Sequence, residues 1–215
     1  YHMENTCGPG CGSCSFYGTA NTMCCLSEAL GMTLPHGALI PAVYAERTRM
    51  AFRTGEAIVK LVRENVTADK IITEKSIDNA IRVLNATGGS TNGILHLTAI
   101  AREVGIDSDT MMDKYKNIGM HTPLIVKVNP ASKYNMEDFY KTGGIMQVMR
   151  ELDSCLDKDA LTVTGRTVEE NLNQYKPRNI NRNIIKSLGE PFSKFGGIAI
   201  LEGNLSPEGC ITKPS

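Results

Sequence analysis

The chain has 215 residues and carries 23 Lys and Arg against 23 Asp and Glu, so its formal net charge at pH 7 is zero. That balance lacks the basic excess typical of nucleic-acid-binding proteins, and we expect no nucleic-acid partner. No apolar run approaches the ~20 residues that cross a bilayer and no signal-peptide pattern opens the chain, so we expect no membrane partner and a cytoplasmic location.

Helical periodicity dominates the chain. Ala20 to Leu30 forms the first predicted helix with Thr19 as its N-cap, and Pro41 opens a long helix that reaches Asn65. Apolar spacing predicts further helices over 76–86, 92–104, 108–115, 136–141, 145–152 and 168–174. Short apolar or β-branched runs predict strands over 124–128, 161–163, 198–201 and 210–212. The order of these elements indicates an α/β fold that is rich in helix and has a small, mostly parallel sheet.

Two of these helices carry specific burial expectations. In the helix that opens at Pro41, apolar residues at helical spacing should form the buried side: Met50, Ile58, Leu61 and Val62. The helix over 92–104 is apolar nearly all round, which is typical of a buried helix. His96 lies on it and is therefore expected to be a hydrogen-bonded core residue.

Cysteine usage is the strongest chemical signal in the chain. Five of the seven cysteines lie between Cys7 and Cys25, and an odd total without a secretion signal indicates a reducing compartment. Cys7, Cys11 and Cys14 have the spacing C-x3-C-x2-C, which can hold an iron–sulfur cluster and leave one iron open. Cys14 also lies just before the first helix, whose positive end favours a thiolate. Spacing alone leaves open the alternative that these are loop cysteines without a metal.

Longer strings of residues resemble the dihydroxy-acid dehydratase / 6-phosphogluconate dehydratase family. The matching segments follow one another in order along the chain: Gly12-Ser13-Cys14-Ser15, Gly18-Thr19-Ala20-Asn21-Thr22-Met23, Ser27-Glu28-Ala29-Leu30-Gly31, Ser76-Ile77-Asp78-Asn79-Ala80, Gly88-Gly89-Ser90-Thr91-Asn92, Leu161-Thr162-Val163-Thr164-Gly165 and Gly196-Gly197-Ile198-Ala199-Ile200-Leu201-Glu202-Gly203. The resemblance covers nearly the whole chain.

The resemblance implies an iron–sulfur-dependent hydro-lyase that converts a 2,3-dihydroxy carboxylate to a 2-keto acid. It implies an iron–sulfur cluster, of the 2Fe-2S or 4Fe-4S type, together with Mg2+. Among the cysteines only Cys14 falls at a family ligand position, so it is the one cofactor-binding and metal-binding residue, and no catalytic residue is assigned. The first-choice substrate is a dihydroxy acid of branched-chain amino acid biosynthesis, with 6-phosphogluconate or an aldonate as alternatives. A non-catalytic iron–sulfur or redox module using Cys7, Cys11 and Cys14 is the rival reading.

The resemblance also implies that the chain is a fragment of a larger two-domain enzyme. Residues 4–190 are expected to belong to the N-terminal cluster-binding α/β domain, and residues 191–215 to begin a β-rich C-terminal domain. The other cluster ligands, most Mg2+ ligands and the base of the family lie outside this sequence. We therefore expect the isolated chain to be inactive and without a cluster, and the full-length protein to be a homodimer.

Overall fold

Helices dominate the structure, a computed structural model that describes residues 12–177 and 179–214. The helices in the described residues are α1 (Thr19–Ala29), α2 (Ala45–Arg63), α3 (Ala68–Ile71), α4 (Glu74–Thr87), α5 (Asn92–Glu103), α6 (Met111–His121), α7 (Met136–Lys141), α8 (Gly144–Glu151) and α9 (Val168–Gln174). Short 3-10 turns occupy Ser108–Thr110 and Asp153–Cys155, and the two strands are β1 (Ala199–Gly203) and β2 (Ser206–Thr212). The predicted helix-rich α/β class with a small sheet is thereby confirmed.

Helix α4 lies at the centre of the core. It packs against α1, α5, α6 and α8, and Ile77, Ile81 and Leu84 on its length are fully buried. Its start is fixed by a capping box, in which the Thr73 side chain accepts from the Ser76 amide and the Ser76 side chain accepts from the Thr73 amide. A buried helix with satisfied ends gives the surrounding loops a rigid support.

The predicted parallel sheet is wrong. Strands β1 and β2 form an antiparallel hairpin in which Ala199 pairs with Thr212. The run 124–128 makes isolated antiparallel bridges, at Leu124 and Val126, instead of a strand ladder. The amides of Ile125 and Val126 both donate to the carbonyl of Ala86 in the last turn of α4, at 2.9 and 3.0 Å. The run is therefore buried against a helix end, an environment that its β-branched composition does not distinguish from a sheet.

The other short strand prediction fails similarly, because residues 161–163 contribute a single isolated bridge, from Leu161 to Thr167. The hairpin near the end of the chain agrees with the predicted strands over 198–201 and 210–212, with the second strand beginning earlier, at Ser206.

Helix α2 begins later and is less buried than predicted. It starts at Ala45, because a turn closes between the Pro41 carbonyl and the Tyr44 amide at 3.0 Å. Ile58 and Val62 are 55% and 73% exposed, whereas Met50 and Leu61 are buried. The apolar face of α2 is thus only partly covered by the described residues.

Three further expectations are corrected by the structure. His96 is exposed on the outer side of α5, so it is not a core residue, and the neighbouring Leu95 is 64% exposed. Gly18 rather than Thr19 is the N-cap of α1, and the Thr19 hydroxyl lies 3.2 Å from the hydroxyl of Ser90, which precedes α5. Helix α6 runs on to His121, six residues beyond the predicted end.

Within residues 12–177 and 179–214, no helix has both the length and the apolar character needed to traverse a membrane.

Candidate functional site

Cys14 lies in the loop that leads into α1, and its half-buried side chain lines a cleft of about 290 Å³. The cleft opens between this loop, the segment 38–43 and the start of α7. Gly12 allows the loop to meet the opposite wall: its φ is +116°, and a Cβ added there would lie 2.6 Å from the Cβ of Ala42. Among the described residues that line the cleft, Cys14 carries the only thiol.

The residues after Cys14 anchor the loop in the core. The Tyr17 amide donates to the Asn129 carbonyl at 2.7 Å, and its buried hydroxyl donates to Thr87 at 2.9 Å. Burial raises the pKa of Tyr17, so the hydroxyl stays protonated and remains a donor. The Met136 amide, at the start of α7, donates to the Ser15 carbonyl at 2.9 Å. The loop is therefore fixed by the residues that follow Cys14, at Ser15 and Tyr17.

Asn21 fixes the backbone at Cys14 itself. This residue lies in the first turn of α1 and is only 4% exposed. Its side-chain amide donates to the carbonyls of Cys14 and Phe16, at 2.6 and 2.9 Å. The same nitrogen lies 3.9 Å from the sulfur of Cys14.

The opposite wall is held by a buried acid and by an arginine. The carboxylate of Glu28 in α1 accepts the amides of His36 and Ala38, at 2.8 and 2.9 Å. Arg47 in α2 donates to the Gly37 carbonyl at 3.2 Å and to the Ile40 carbonyl. Burial raises the pKa of Glu28 to about 7, against the opposing effect of the two amide hydrogen bonds. The segment at 36–40 therefore has its amides and its carbonyls bound by separate side chains.

Glu137 lies at the start of α7 and carries an acidic group into the lining of the cleft. Its carboxylate accepts a hydrogen bond from the Tyr44 hydroxyl at 2.5 Å and forms an ion pair with the Lys141 ammonium group at 2.7 Å. Lys141, with Tyr44 assisting, holds the pKa of Glu137 below its usual value, so the group is ionised at neutral pH.

The described residues fit an iron–sulfur cluster in one respect: they supply one suitable ligand. Cys14 presents a thiol to an open cleft, which is the donor type that such clusters take. The part of the chain that the structure describes contains no group of three His, Cys, Asp or Glu side chains that could hold a metal ion. Cys7 and Cys11 of the C-x3-C-x2-C spacing lie outside the described residues.

The sequence pattern identified Cys14 but none of the residues that hold its cleft. Asn21 and Glu28 lie within a predicted helix and resemble ordinary polar positions of its surface. The available signal was their place on the buried side of that helix, which Cys25 marks. Asn21 lies four residues before Cys25, and Glu28 lies three residues after Cys25. A polar residue on a buried helical face needs a partner, which here is the backbone of the cleft walls.

The sequence comparisons agree with the motifs that surround this cleft. Residues 1–171 match the family model described as Dihydroxy-acid/6-phosphogluconate dehydratase N-terminal. The match covers well over half of the chain, and the chain belongs to this family.

The chain is also similar to individual proteins. Over 217 residues the chain is 47% identical to "Dihydroxy-acid dehydratase" of Caldanaerobacter subterraneus subsp. tengcongensis, covering 100% of this chain and 38% of the relative. It is 46% identical to the protein of that name from Acetivibrio thermocellus, with the same coverage of each chain. It is 44% identical to that from Methanococcoides burtonii, covering 99% of this chain and 38% of the relative. The chain thus spans less than two fifths of the length of these relatives.

Proposed function

We propose that this chain is part of a dihydroxy-acid dehydratase, an iron–sulfur-dependent hydro-lyase that converts a 2,3-dihydroxy carboxylate to a 2-keto acid in branched-chain amino acid biosynthesis. The observation that carries the proposal is the thiol of Cys14, at the family ligand position, facing a cleft large enough for a small ligand. Identity near 45% to proteins named dihydroxy-acid dehydratase, over the whole chain, favours this substrate over a sugar acid.

Cys14 is the residue that would hold the cluster. When bound, the cluster supplies an open iron that acts as a Lewis acid on the leaving hydroxyl, and Mg2+ is the expected second metal. The chain's own contribution is to fix the thiol and the walls around it. Tyr17 anchors the loop in the core, while Glu28 and Arg47 hold the segment opposite, so the cleft keeps its shape during turnover.

The organisation of the whole protein is part of the proposal. Residues 4–190 would belong to the cluster-binding N-terminal domain, and residues 191–215 would begin the β-rich C-terminal domain. The change from helices to the β1–β2 hairpin after Ile198 supports this division. The full-length protein would be a cytoplasmic homodimer that acts on a small-molecule dihydroxy acid.

A substrate panel on the full-length protein tests the activity. The cluster is reconstituted anaerobically, Mg2+ is added, and 2-keto acid formation is measured with dihydroxyisovalerate, 6-phosphogluconate and an aldonate. We expect the highest kcat/KM with dihydroxyisovalerate. A protein with a full cluster that dehydrates only 6-phosphogluconate or the aldonate would move the assignment to a sugar-acid dehydratase.

The rival iron–sulfur or redox module makes a different prediction for Cys7. If Cys7, Cys11 and Cys14 together hold the metal, Cys7→Ser removes it. A dehydratase that uses only Cys14 from this set retains its iron in Cys7→Ser and loses it in Cys14→Ser. Iron and acid-labile sulfide analysis of the two full-length variants separates the alternatives.

A further inference from the structure

We propose that Asn21 is the positioning residue for the sulfur of Cys14, and that its side-chain amide supplies an N–H···S contact to the metal-bound thiolate. This inference deepens the proposed function and rests on it, because it concerns the same thiol. The family match and the relatives' names assign no role to Asn21.

Three acceptors surround the side-chain nitrogen of Asn21. The Asn21 amide nitrogen lies 2.6 Å from the Cys14 carbonyl and 2.9 Å from the Phe16 carbonyl, so these two oxygens take its two protons. Three acceptors thus compete for two protons. While the thiol of Cys14 is neutral, its sulfur makes the longest of the three contacts with the Asn21 nitrogen, at 3.9 Å. The contact is within the range of a weak hydrogen bond to sulfur.

Asn21 is held rigidly by its place in α1. Asn21 is 4% exposed and lies in the first turn of α1, whose neighbouring residues Thr22, Cys25 and Leu26 are buried. A helix packed on its buried side fixes the amide more firmly than a loop residue could be fixed. The Cys14 loop, in contrast, lies outside helices and strands, so contacts of this kind help to fix its conformation.

Metal binding would change the sulfur of Cys14 as a hydrogen-bond acceptor. The thiol of Cys14 is placed to donate to the Phe16 carbonyl, with the sulfur 3.7 Å from that oxygen. Once the sulfur binds iron it loses its hydrogen and becomes a negatively charged acceptor, which attracts a neighbouring N–H more strongly. Asn21 is then the preorganised donor, and donors beside a ligating sulfur help to set the affinity and the reduction potential of a cluster.

The test uses the full-length protein with its cluster reconstituted, in the forms wild type, Asn21→Ala and Asn21→Gln. The reduction potential of the cluster and the rate of iron release to a chelator are measured, so neither readout depends on turnover. We expect Asn21→Ala to shift the potential to a more negative value, because the reduced cluster loses a stabilising donor. Iron release should accelerate about 10- to 100-fold. Asn21→Gln retains the N–H groups on a longer side chain and should show smaller changes of the same sign, which also provides the readout should the alanine variant fail to fold.

Asn79→Ala is the matched control. Asn79 is a fully buried carboxamide that also binds backbone, donating to the Asp157 carbonyl at 2.9 Å, and it lies outside the cleft lining. The Asn79→Ala variant should have a lower melting temperature but an unchanged reduction potential of the cluster and an unchanged rate of iron release.

The inference is overturned if the Asn21 variants match wild type, or if they change no more than Asn79→Ala does. If that happens while Cys14→Ser still loses the iron, the proposed function stands and only the role of Asn21 falls. A wild-type protein that takes up no iron overturns both.

Discussion

Glu28 is a titratable residue that holds the cleft wall opposite Cys14. Its carboxyl is buried, yet it accepts two backbone amides of the segment opposite Cys14. Desolvation outweighs those hydrogen bonds and raises the pKa to about 7. The thiol of Cys25, three residues away, also has a pKa raised by burial, so the two groups are most stable when both are neutral.

Stability should therefore decrease as the pH rises through the range in which Glu28 ionises. An acid whose folded pKa lies above its unfolded value stabilises the fold below the unfolded pKa and loses that contribution up to the folded pKa. Between pH 4.5 and about 7, the ordinary and the raised pKa values, the wild type should lose roughly 3 kcal/mol of unfolding free energy relative to Glu28→Gln. Denaturant unfolding of both proteins across that range measures the difference. Parallel pH profiles would show that the Glu28 carboxyl titrates normally.

Residue-scale prediction from sequence reached Cys14 but not its supports. The cysteine is identified by a motif, whereas Asn21 and Glu28 act through contacts with the backbone of segments up to ten residues away. Those contacts depend on how the loops at 12–17 and 34–41 fold over α1. A local pattern carries no information about that arrangement.

Among the elements, α1 and α4 were well predicted because their apolar spacing agrees with the face that the core covers. Helix α2 shows the opposite case: its spacing predicted a buried side, yet Ile58 and Val62 are largely exposed. The run 124–128 shows a third case, since its amides bind a helix end at Ala86 instead of a strand. Periodicity thus indicates which residues avoid water, while the identity of the covering partner depends on tertiary packing.

Glycine substitutions on two helices should have opposite effects. A Cβ at Gly55 in α2 would meet nothing within 4 Å, so Gly55→Ala should stabilise the protein by about 0.5–1 kcal/mol through helix propensity. A Cβ at Gly93 in α5 would lie 2.9 Å from a methyl carbon of Leu84 and 3.1 Å from one of Leu26. Gly93→Ala should therefore destabilise it by about 1–3 kcal/mol through overpacking.

Melting temperatures of the two variants and of the wild type measure these effects. A destabilising Gly55→Ala would mean that the exposed surface of α2 is covered in the folded protein. A neutral or stabilising Gly93→Ala would contradict the close packing between α4 and α5.

At the scale of the whole molecule, the chain provides a rigid support for Cys14, the proposed cluster ligand. The described residues bring Cys14 to a cleft but gather no three-ligand group there. The order of the predicted elements indicated the fold class, and the resemblance to the dehydratase family predicted Cys14 as the single ligand. The helix-end packing of 124–128 could not be obtained in that way, since it depends on contacts with the distant residue Ala86.

The isolated 215-residue chain should accordingly contain no cluster. After anaerobic reconstitution and desalting, we expect neither stoichiometric iron and sulfide nor the visible charge-transfer absorption of an iron–sulfur protein. The full-length protein, treated in parallel, serves as the positive control. A chain that retains stoichiometric iron and sulfide would show that residues 1–215 supply a complete ligand set, as the rival module with Cys7 and Cys11 requires.

The central claim is that the sulfur of Cys14 binds the cluster of the full-length enzyme. Iron and sulfide content of the full-length Cys14→Ser variant tests it most directly, with Cys155→Ser as the control, because Cys155 is also half-buried but lies outside the cleft lining. We expect Cys14→Ser to lose the cluster and dehydratase activity and Cys155→Ser to keep both. A Cys14→Ser protein that keeps wild-type iron, sulfide and activity would contradict it.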